Sequence, residues 1–317
     1  MSLLSFLAST PASVGVEIAA DRVSAVSVVP DGSGIGAYAV QRLKPGVVTP
    51  AVNAANIHDR AALVSALGNA FGQLGVRPRR VALVIPDTAA KISLLRFEKV
   101  PPAHDLEQLI RWQVRKAAPF KAEESVLSWV PGAALPEGGR EFVVIQARRD
   151  IIESYEAVCE EAGAEAGVVD LATLNLINAA IAGGAARTSG SHGDWLVVHV
   201  AYDYATLAIV RGVDLIFIRT RVLEAPGDLA DLVHQTAMYH EDRLEGAQFS
   251  RVILSGGHQA ELTVDEIREG IEERMGVRVE PLDLAGLSSL RDRLKASPDL
   301  LDTLAPALGI VLRERVA

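Results

Sequence analysis

Apolar residues alternate through Val14, Val16 and Ile18, break at Ala19-Ala20-Asp21-Arg22, and resume through Val23, Val26 and Val28. Two β-rich runs around a short polar break predict a hairpin. The pattern returns over residues 196–210, where Tyr202-Asp203-Tyr204 interrupts two valine-rich runs. Two matching hairpins, roughly half a chain apart, predict two related lobes. In one large fold class such hairpins face each other across a cleft and hold phosphates.

After the first hairpin, Gly32, Gly34 and Gly36 suggest a phosphate loop, but residues 37–43 read as another strand. A glycine-rich turn between strands is the better account. Asp59 can cap a helix to Leu74 whose apolar face includes Leu63, Leu67, Ala70 and Phe71, with Gly75 as its stop. Residues 81–85 predict a fully buried strand ended by Pro86. The pattern then changes. A strand at 92–97, a helix at 105–117 and strands at 125–130 and 142–147 predict a compact β-α-β-β insertion. Its helix presents Leu106, Leu109, Ile110, Val114 and Ala117 on one stripe. A helix at 150–163 follows, with Asp150 and Glu153 as a capping-box pair. A short strand at 167–170 and a long apolar helix at 171–186 complete the first half.

Residues 188–194, T-S-G-S-H-G-D, form the clearest linker. The second half predicts strands at 196–210 and 214–221, a helix at 228–244 and a buried strand at 252–254. A capped helix then begins at Thr263, with Glu266 as its capping-box partner, and is followed by a strand at 277–280. A last helix carries Leu304, Leu308, Val311 and Leu312. The strand-strand-strand-helix-strand-helix order of the first half recurs.

Bulk properties narrow the function. The 317 residues are 49% hydrophobic, ample for a large core. A net charge of -9 argues against nonspecific nucleic-acid binding. The single Cys159 excludes a disulfide framework and a cysteine-based metal site, and its helical surroundings predict a core residue. Residues 1–11 hold no basic residue, which argues against a secretory signal. No stretch is long and apolar enough to predict a membrane span, so a cytoplasmic location is expected.

Catalytic motifs are sparse. The chain has no G-x-x-x-x-G-K-[ST] phosphate loop, no H-E-x-x-H and no G-x-S-x-G. His234 and His240 fall on different helix faces, and His199 reads as a hydrogen-bonded core histidine. Tyr202 and Tyr204 are expected to pack rather than stack on a ligand. Arg111, Arg115 and Lys116 read equally as a solvated face or as a partner-binding face around Trp112. Ser255-Gly256-Gly257 could let a ligand approach the backbone, or could simply form a tight turn.

Four stretches carry a resemblance: I-R-W-Q-V-R-K-A-A-P-F-K-A-E-E at 110–124, A-R-R-D-I-I-E-S-Y-E-A-V-C-E-E-A-G-A-E at 147–165, D-L-A-T-L-N-L-I-N-A at 170–179 and V-I-L-S-G-G at 252–257. In order and approximate spacing they resemble the PilM family of type IV pilus assembly, cytoplasmic actin-like proteins related in fold to FtsA. The last stretch is similar to the family's adenosine-side glycine motif. The resemblance implies an α/β, two-lobed actin-like (RNase H-like) fold, with 1–190 as the first lobe and 191–317 as the second. It also implies a small β-α-β-β subdomain inserted at about 91–140.

The resemblance further implies an ATP and Mg site, and a cleft between the first lobe and the subdomain. In the family that cleft receives the N-terminal tail of PilN, an inner-membrane protein. Residues implied for the tail are Arg111, Trp112, Arg115 and Phe120. Residues implied for any nucleotide are Glu17, Arg22, Thr206, Ser255, Gly256 and Gly257. The phosphate hairpins depart from the family. Glu17 and Ala19 replace an aspartate and a glycine, Asp21 enters the turn, Ser24 replaces a lysine, and Ala201 replaces the second hairpin's glycine. A carboxylate repels phosphate unless a metal intervenes. The expectation is therefore a scaffold with weak or absent ATP binding and no ATPase activity, reaching the membrane through its partner and open to self-association. The alternatives are an ATP-dependent switch and the cytoplasmic part of a GspL-like type II secretion protein.

Overall fold

The computed structural model describes residues 12–29, 35–185, 193–224, 228–257, 263–284 and 297–316. Strands β1 (Val14–Ile18), β2 (Arg22–Val28) and β3 (Ile35–Arg42) form an antiparallel meander. The first pair runs from Val14 opposite Ser27 to Ile18 opposite Val23, which is the expected hairpin. Gly36 lies in β3, while Gly32 and Gly34 lie outside the described residues.

Helix α1 (Arg60–Leu74) leads to β4 (Arg80–Ile85), parallel to β1. The Ala62 N–H donates to the Asp59 carboxylate at 2.9 Å, and Gly75 closes the helix at φ 67°. Both signals were legible in advance.

The inserted unit is β5 (Ala90–Phe97), α2 (Ala103–Val114), β6 (Ser125–Ala134) and β7 (Arg140–Arg148), with its antiparallel sheet ordered β5-β7-β6. Side chains alternate across β7. Phe142 and Val144 pack under α2 with Ile110 and Val114. Val143 and Ile145 point the other way and join the cores of the main body. Helix α2 starts earlier and stops sooner than expected. Its stripe is also narrower: Leu109 is 38% exposed and Ala117 is exposed. Leu109 lies about 100° around the helix from Ile110, off the line that meets the sheet.

Helix α3 (Arg149–Glu161), β8 (Glu165–Leu171) and α4 (Ala172–Ala182) follow. The expected capping box of α3 does not form. Strand β7 runs into the helix without a connecting residue, so the cap position falls on Arg148, which makes no side-chain cap bond. Asp150 sits inside the first turn and accepts from the Ile151 N–H at 3.0 Å and from Arg148.

The first sheet is ordered β3-β2-β1-β4-β8 and is covered on both faces. Val16, Val23 and Leu83 meet Leu63 and Leu67 of α1. Val26, Ala82 and Val84 point to the opposite face. This explains the unbroken apolar run V-A-L-V-I in β4, since a strand buried on both faces does not alternate. Burying one such valine or leucine contributes about 1.5–3 kcal/mol.

The second half repeats the plan with β9 (Asp194–Val200), β10 (Tyr204–Arg211), β11 (Asp214–Val222), α5 (Asp228–Arg243), β12 (Arg251–Gly256), α6 (Val264–Met275) and β13 (Val279–Pro281). Its sheet order, β11-β10-β9-β12-β13, is the same arrangement as the first. The capping box of α6 forms as expected: the Glu266 N–H donates to Thr263 Oγ1, and the Thr263 N–H donates to Glu266. Residues 188–192, most of the expected linker at 188–194, lie outside the described residues.

The last helix, α7 (Pro298–Val316), returns to the first sheet. Leu304, Ala307, Leu308 and Val311 fill its second face beside Leu176 of α4. Two glycines permit the close approach. A Cβ on Gly15 would stand 2.0 Å from the Ala307 carbonyl oxygen, and one on Gly309 would stand 1.9 Å from that of Asn175.

The halves share an apolar seam. Trp195, Val197 and Ala208 of the second sheet meet Ile177 and Ala180 of α4 and Val143 of the inserted sheet. The opposite face of the second sheet packs on α5 and α6 through Leu232, Val233, Ile267 and Ile271. His240 is a structural residue: its Nε2 lies 2.7 Å from Asp194, which also holds Arg211, and its ring stacks on Phe249 at 4.2 Å. Among the described residues no helix is long and apolar enough to cross a membrane, and no group of three or more His, Cys, Asp or Glu is arranged to hold a metal.

Candidate functional site

The two hairpin turns lie on one cavity of about 450 Å³, lined by Asp21 and Arg22 from the first and Ala201 and Tyr202 from the second, with Ser255 and Asp302. The turns are built alike. The Ala19 N–H donates to the Arg22 carbonyl at 2.9 Å, and the Ala201 N–H donates to the Tyr204 carbonyl at 2.9 Å.

Arg22 in this cavity is held by the chain's own carboxylates. The Arg22 guanidinium donates to Glu17 at 3.1 and 3.3 Å and to Asp21 at 3.1 Å. Ser24 Oγ donates to Glu17 at 2.8 Å. Burial works against the Arg22 charge, but Glu17 and Asp21, with Asp302 assisting, raise its pKa above the ordinary value. Asp203 shows the opposite pressure. Burial pushes its carboxyl up, and the like charge of Asp21 adds to the rise. The two turns thus present mutually repelling carboxylates.

The glycine motif is also engaged from within. Ser255 Oγ donates to Asp302 at 2.6 Å, and the Gly256 N–H donates to the same carboxylate at 2.7 Å. The Gly257 N–H donates to the Val200 carbonyl at 2.8 Å. Gly256 sits at φ 85°, and a Cβ there would stand 2.0 Å from that same oxygen. The glycine therefore lets β12 pass close to the end of β9.

Of the residues expected at a nucleotide, Arg22, Ser255, Gly256 and Gly257 line the cavity. Glu17 is buried beneath Arg22, and Thr206 is fully buried elsewhere. Thr206 Oγ1 donates to Asp87 at 2.7 Å and lies 2.9 Å from Thr220 Oγ1. Asp87 is the centre of a buried network that sequence reasoning missed. It accepts from the Thr173 N–H at 3.0 Å and from Thr173 Oγ1, while its own N–H donates to Tyr204 Oη at 3.2 Å. His199 Nδ1 lies 2.8 Å from Thr173 Oγ1 and 3.7 Å from Asp87. Burial opposes the Asp87 charge, but the interaction with nearby His199 and the Thr173 bonds outweigh it and lower its pKa. His199 is the hydrogen-bonded core histidine expected, and Tyr204 packs edge-on against it at 5.7 Å. Tyr202 stays 46% exposed at the cavity. A signal for Asp87 existed, an acid placed directly after a fully apolar strand and Pro86, but its partners lie far off in the chain.

A second depression, a groove of about 370 Å³, lies between the first lobe and the inserted sheet. Its walls include Val143 and Ile145 of β7, Ile152 of α3, Val169 of β8 and Leu174 of α4, and β6 forms one rim. The Asp170–Arg313 ion pair lies at this groove. Arg111, Trp112, Arg115 and Phe120 do not line it. They belong to α2 and the segment after it, and α2 covers the opposite face of the same sheet. The sequence could not show this, because the sidedness of a three-stranded sheet depends on which face the main body occupies.

Two sheets of identical order, with paired hairpin turns meeting at one cavity, define an actin-like ATPase fold. The family model described as type IV pilus assembly protein PilM matches residues 15–242, and the chain belongs to that family. The chain is similar to the solved PilM–PilN type IV pilus biogenesis complex, with 18% identity, a TM-score of 0.78 and coverage of 95% of this chain and 98% of that one. It is also similar to a Bacteroides thetaiotaomicron protein with an actin-like ATPase fold, with 13% identity, a TM-score of 0.50 and coverage of 93% and 100%. A third similar structure is the cytoplasmic domain of EpsL, an inner-membrane component of the Vibrio cholerae type II secretion system, with 11% identity, a TM-score of 0.50 and coverage of 91% and 97%. A comparison with the curated proteins found no match.

Proposed function

We propose that this chain is a non-catalytic scaffold of a type IV pilus assembly machine. It works on the cytoplasmic face of the inner membrane and holds the N-terminal tail of a PilN-like membrane protein in the groove between the first lobe and the inserted sheet. The observation that carries this reading is the contrast between the two depressions. The groove offers an apolar surface with an ion pair beside it, suited to a short extended segment. In the cavity between the hairpins Arg22 and the glycine-motif donors are already engaged by Glu17, Asp21 and Asp302, and Arg42 lies 3.5 Å from Asp21.

ATP with Mg fits these residues poorly. Binding must displace Asp302 from the Gly256 N–H and bring phosphates near Asp21 and Asp203, so no catalytic step is assigned. An ATP-dependent switch in the same machine is the second reading, favoured by Arg22 and Arg42 lining the cavity. Calorimetric titration with Mg-ATP separates the two. The EpsL likeness shows that the fold alone does not choose between pilus and type II secretion, whereas the PilM family match supports the pilus.

The direct test is titration with a synthetic peptide of the tail of a PilN-like protein encoded nearby. Leu174→Arg, which puts a charge into the groove, is expected to weaken binding at least tenfold, about 1.4 kcal/mol. Trp112→Ala is expected to leave it unchanged. The reverse pattern, in two variants that melt like wild type, moves the tail to the α2 surface and refutes the groove.

A further inference from the structure

The outer face of α2 has no role in the groove, yet it is the most conspicuous exposed surface of the inserted unit. Trp112 is 71% exposed, and Leu109, one turn before it, is 38% exposed. Counting 100° per residue from the inward-facing Ile110, Trp112 points almost directly away from the sheet, and Arg115 and Lys116 follow in the turn that ends the helix. Both cations are exposed, as is Lys121 in the segment that follows.

Arg111 is neutralised within the helix by Glu107, whereas Arg115 and Lys116 make no ion pair among the described residues. Glu107 is held by Arg111 at 2.7 and 2.9 Å. Asp105 lies in the first turn of α2, beside His104 at 3.3 Å. Glu123 and Glu124 are exposed in the short turn directly after Lys121 and offset its charge, which leaves Arg115 and Lys116 as the local cationic pair. Arg115 and Lys116 thus form a local cationic pair just beyond the end of α2, next to Trp112, in a chain whose net charge is -9.

We propose that this face docks directly on an anionic lipid surface. An exposed tryptophan has an apolar body and a polar N–H, which suits the boundary between headgroups and acyl chains. Leucine beside it adds apolar area, and flanking Lys and Arg are drawn to anionic headgroups. On a strongly acidic protein such a patch sets the orientation of approach: the rest of the molecule is repelled by the same surface. The face lies across the inserted sheet from the groove, so lipid contact leaves the groove open. The attraction is electrostatic at long range and is therefore screened by salt.

Co-sedimentation of the full chain with phosphatidylcholine vesicles, with and without phosphatidylglycerol, tests this. Sedimentation is expected with the anionic vesicles at low salt, little with phosphatidylcholine alone, and loss at high salt. Each cation removed is expected to weaken partitioning about fivefold. The double variant Arg115→Glu, Lys116→Glu should therefore abolish sedimentation, and Trp112→Ala should reduce it with the salt dependence retained. All three side chains are exposed, so the variants should melt like wild type.

Equal binding to both vesicle types, no binding by wild type, or undiminished binding by the double variant would overturn the proposal. So would lipid-free self-association, seen by sedimentation velocity, that Trp112→Ala abolishes: the occupant would then be a second copy of the chain.

Discussion

Asp302→Ala tests whether the cavity between the lobes is closed by the chain's own carboxylate. Asp302 accepts from Ser255 Oγ at 2.6 Å and from the Gly256 N–H at 2.7 Å, tying α7 to the end of β12. Hydrogen bonds to a charged acceptor contribute about 1.5–3 kcal/mol each. Both are only partly buried, and water can replace part of what is lost, so the pair is worth about 2–3 kcal/mol. For a chain of this size the expected fall in melting temperature is about 3–4 °C. Asp302→Asn keeps one acceptor and should fall about half as far. The assay is thermal unfolding without nucleotide, followed by calorimetric titration with Mg-ATP. If Asp302 occupies donors that a nucleotide would use, the alanine variant should bind ATP more tightly than wild type. An unchanged melting temperature would show that the contact contributes nothing. Tight Mg-ATP binding by wild type, unaltered in the variant, would refute the internal-plug reasoning.

Gly15→Ala places a methyl 2.0 Å from the Ala307 carbonyl oxygen and 2.7 Å from Val311, so it should cost more than about 3 kcal/mol and give a low or absent melting transition. The Asp87 network predicts an acid limb in stability. The folded-state pKa lies below the ordinary 3.8, so the stabilisation is present above that value and is lost as pH falls through the lowered one. Asp87→Asn should flatten that limb relative to wild type and cost about 3 kcal/mol at neutral pH, read from urea titrations at several pH values. Cys159 is fully buried, and burial pushes its thiol up to about 12. It should be inert to a thiol-specific chromogen in the native protein and react once in denaturant; fast native labelling would contradict its placement.

Local chemistry made much of the fold readable. The Asp59 cap and the Thr263–Glu266 capping box bind neighbours within a few residues, and the alternation at Val14, Val16 and Ile18 and the unbroken apolar run of β4 record burial in the period of the strand, so their signals survive in one dimension. Where the signal depended on a neighbour's length it failed: Asp150 reads as a cap, but β7 leaves no residue to place it there. The departures in the first hairpin were equally plain, because Glu17, Asp21 and Arg22 form their ion pairs within a single turn.

Only the tertiary structure decided the rest. It brought Asp302 onto Gly256, and Thr206 and His199 to Asp87, through contacts between segments far apart in the chain. It turned α7 back onto the first sheet, a choice made by the shape left open at Gly15 and Gly309. It also separated the groove from Trp112. Which face of a small sheet meets the main body is settled by the sum of long-range burial, and no stretch of sequence carries that sum by itself.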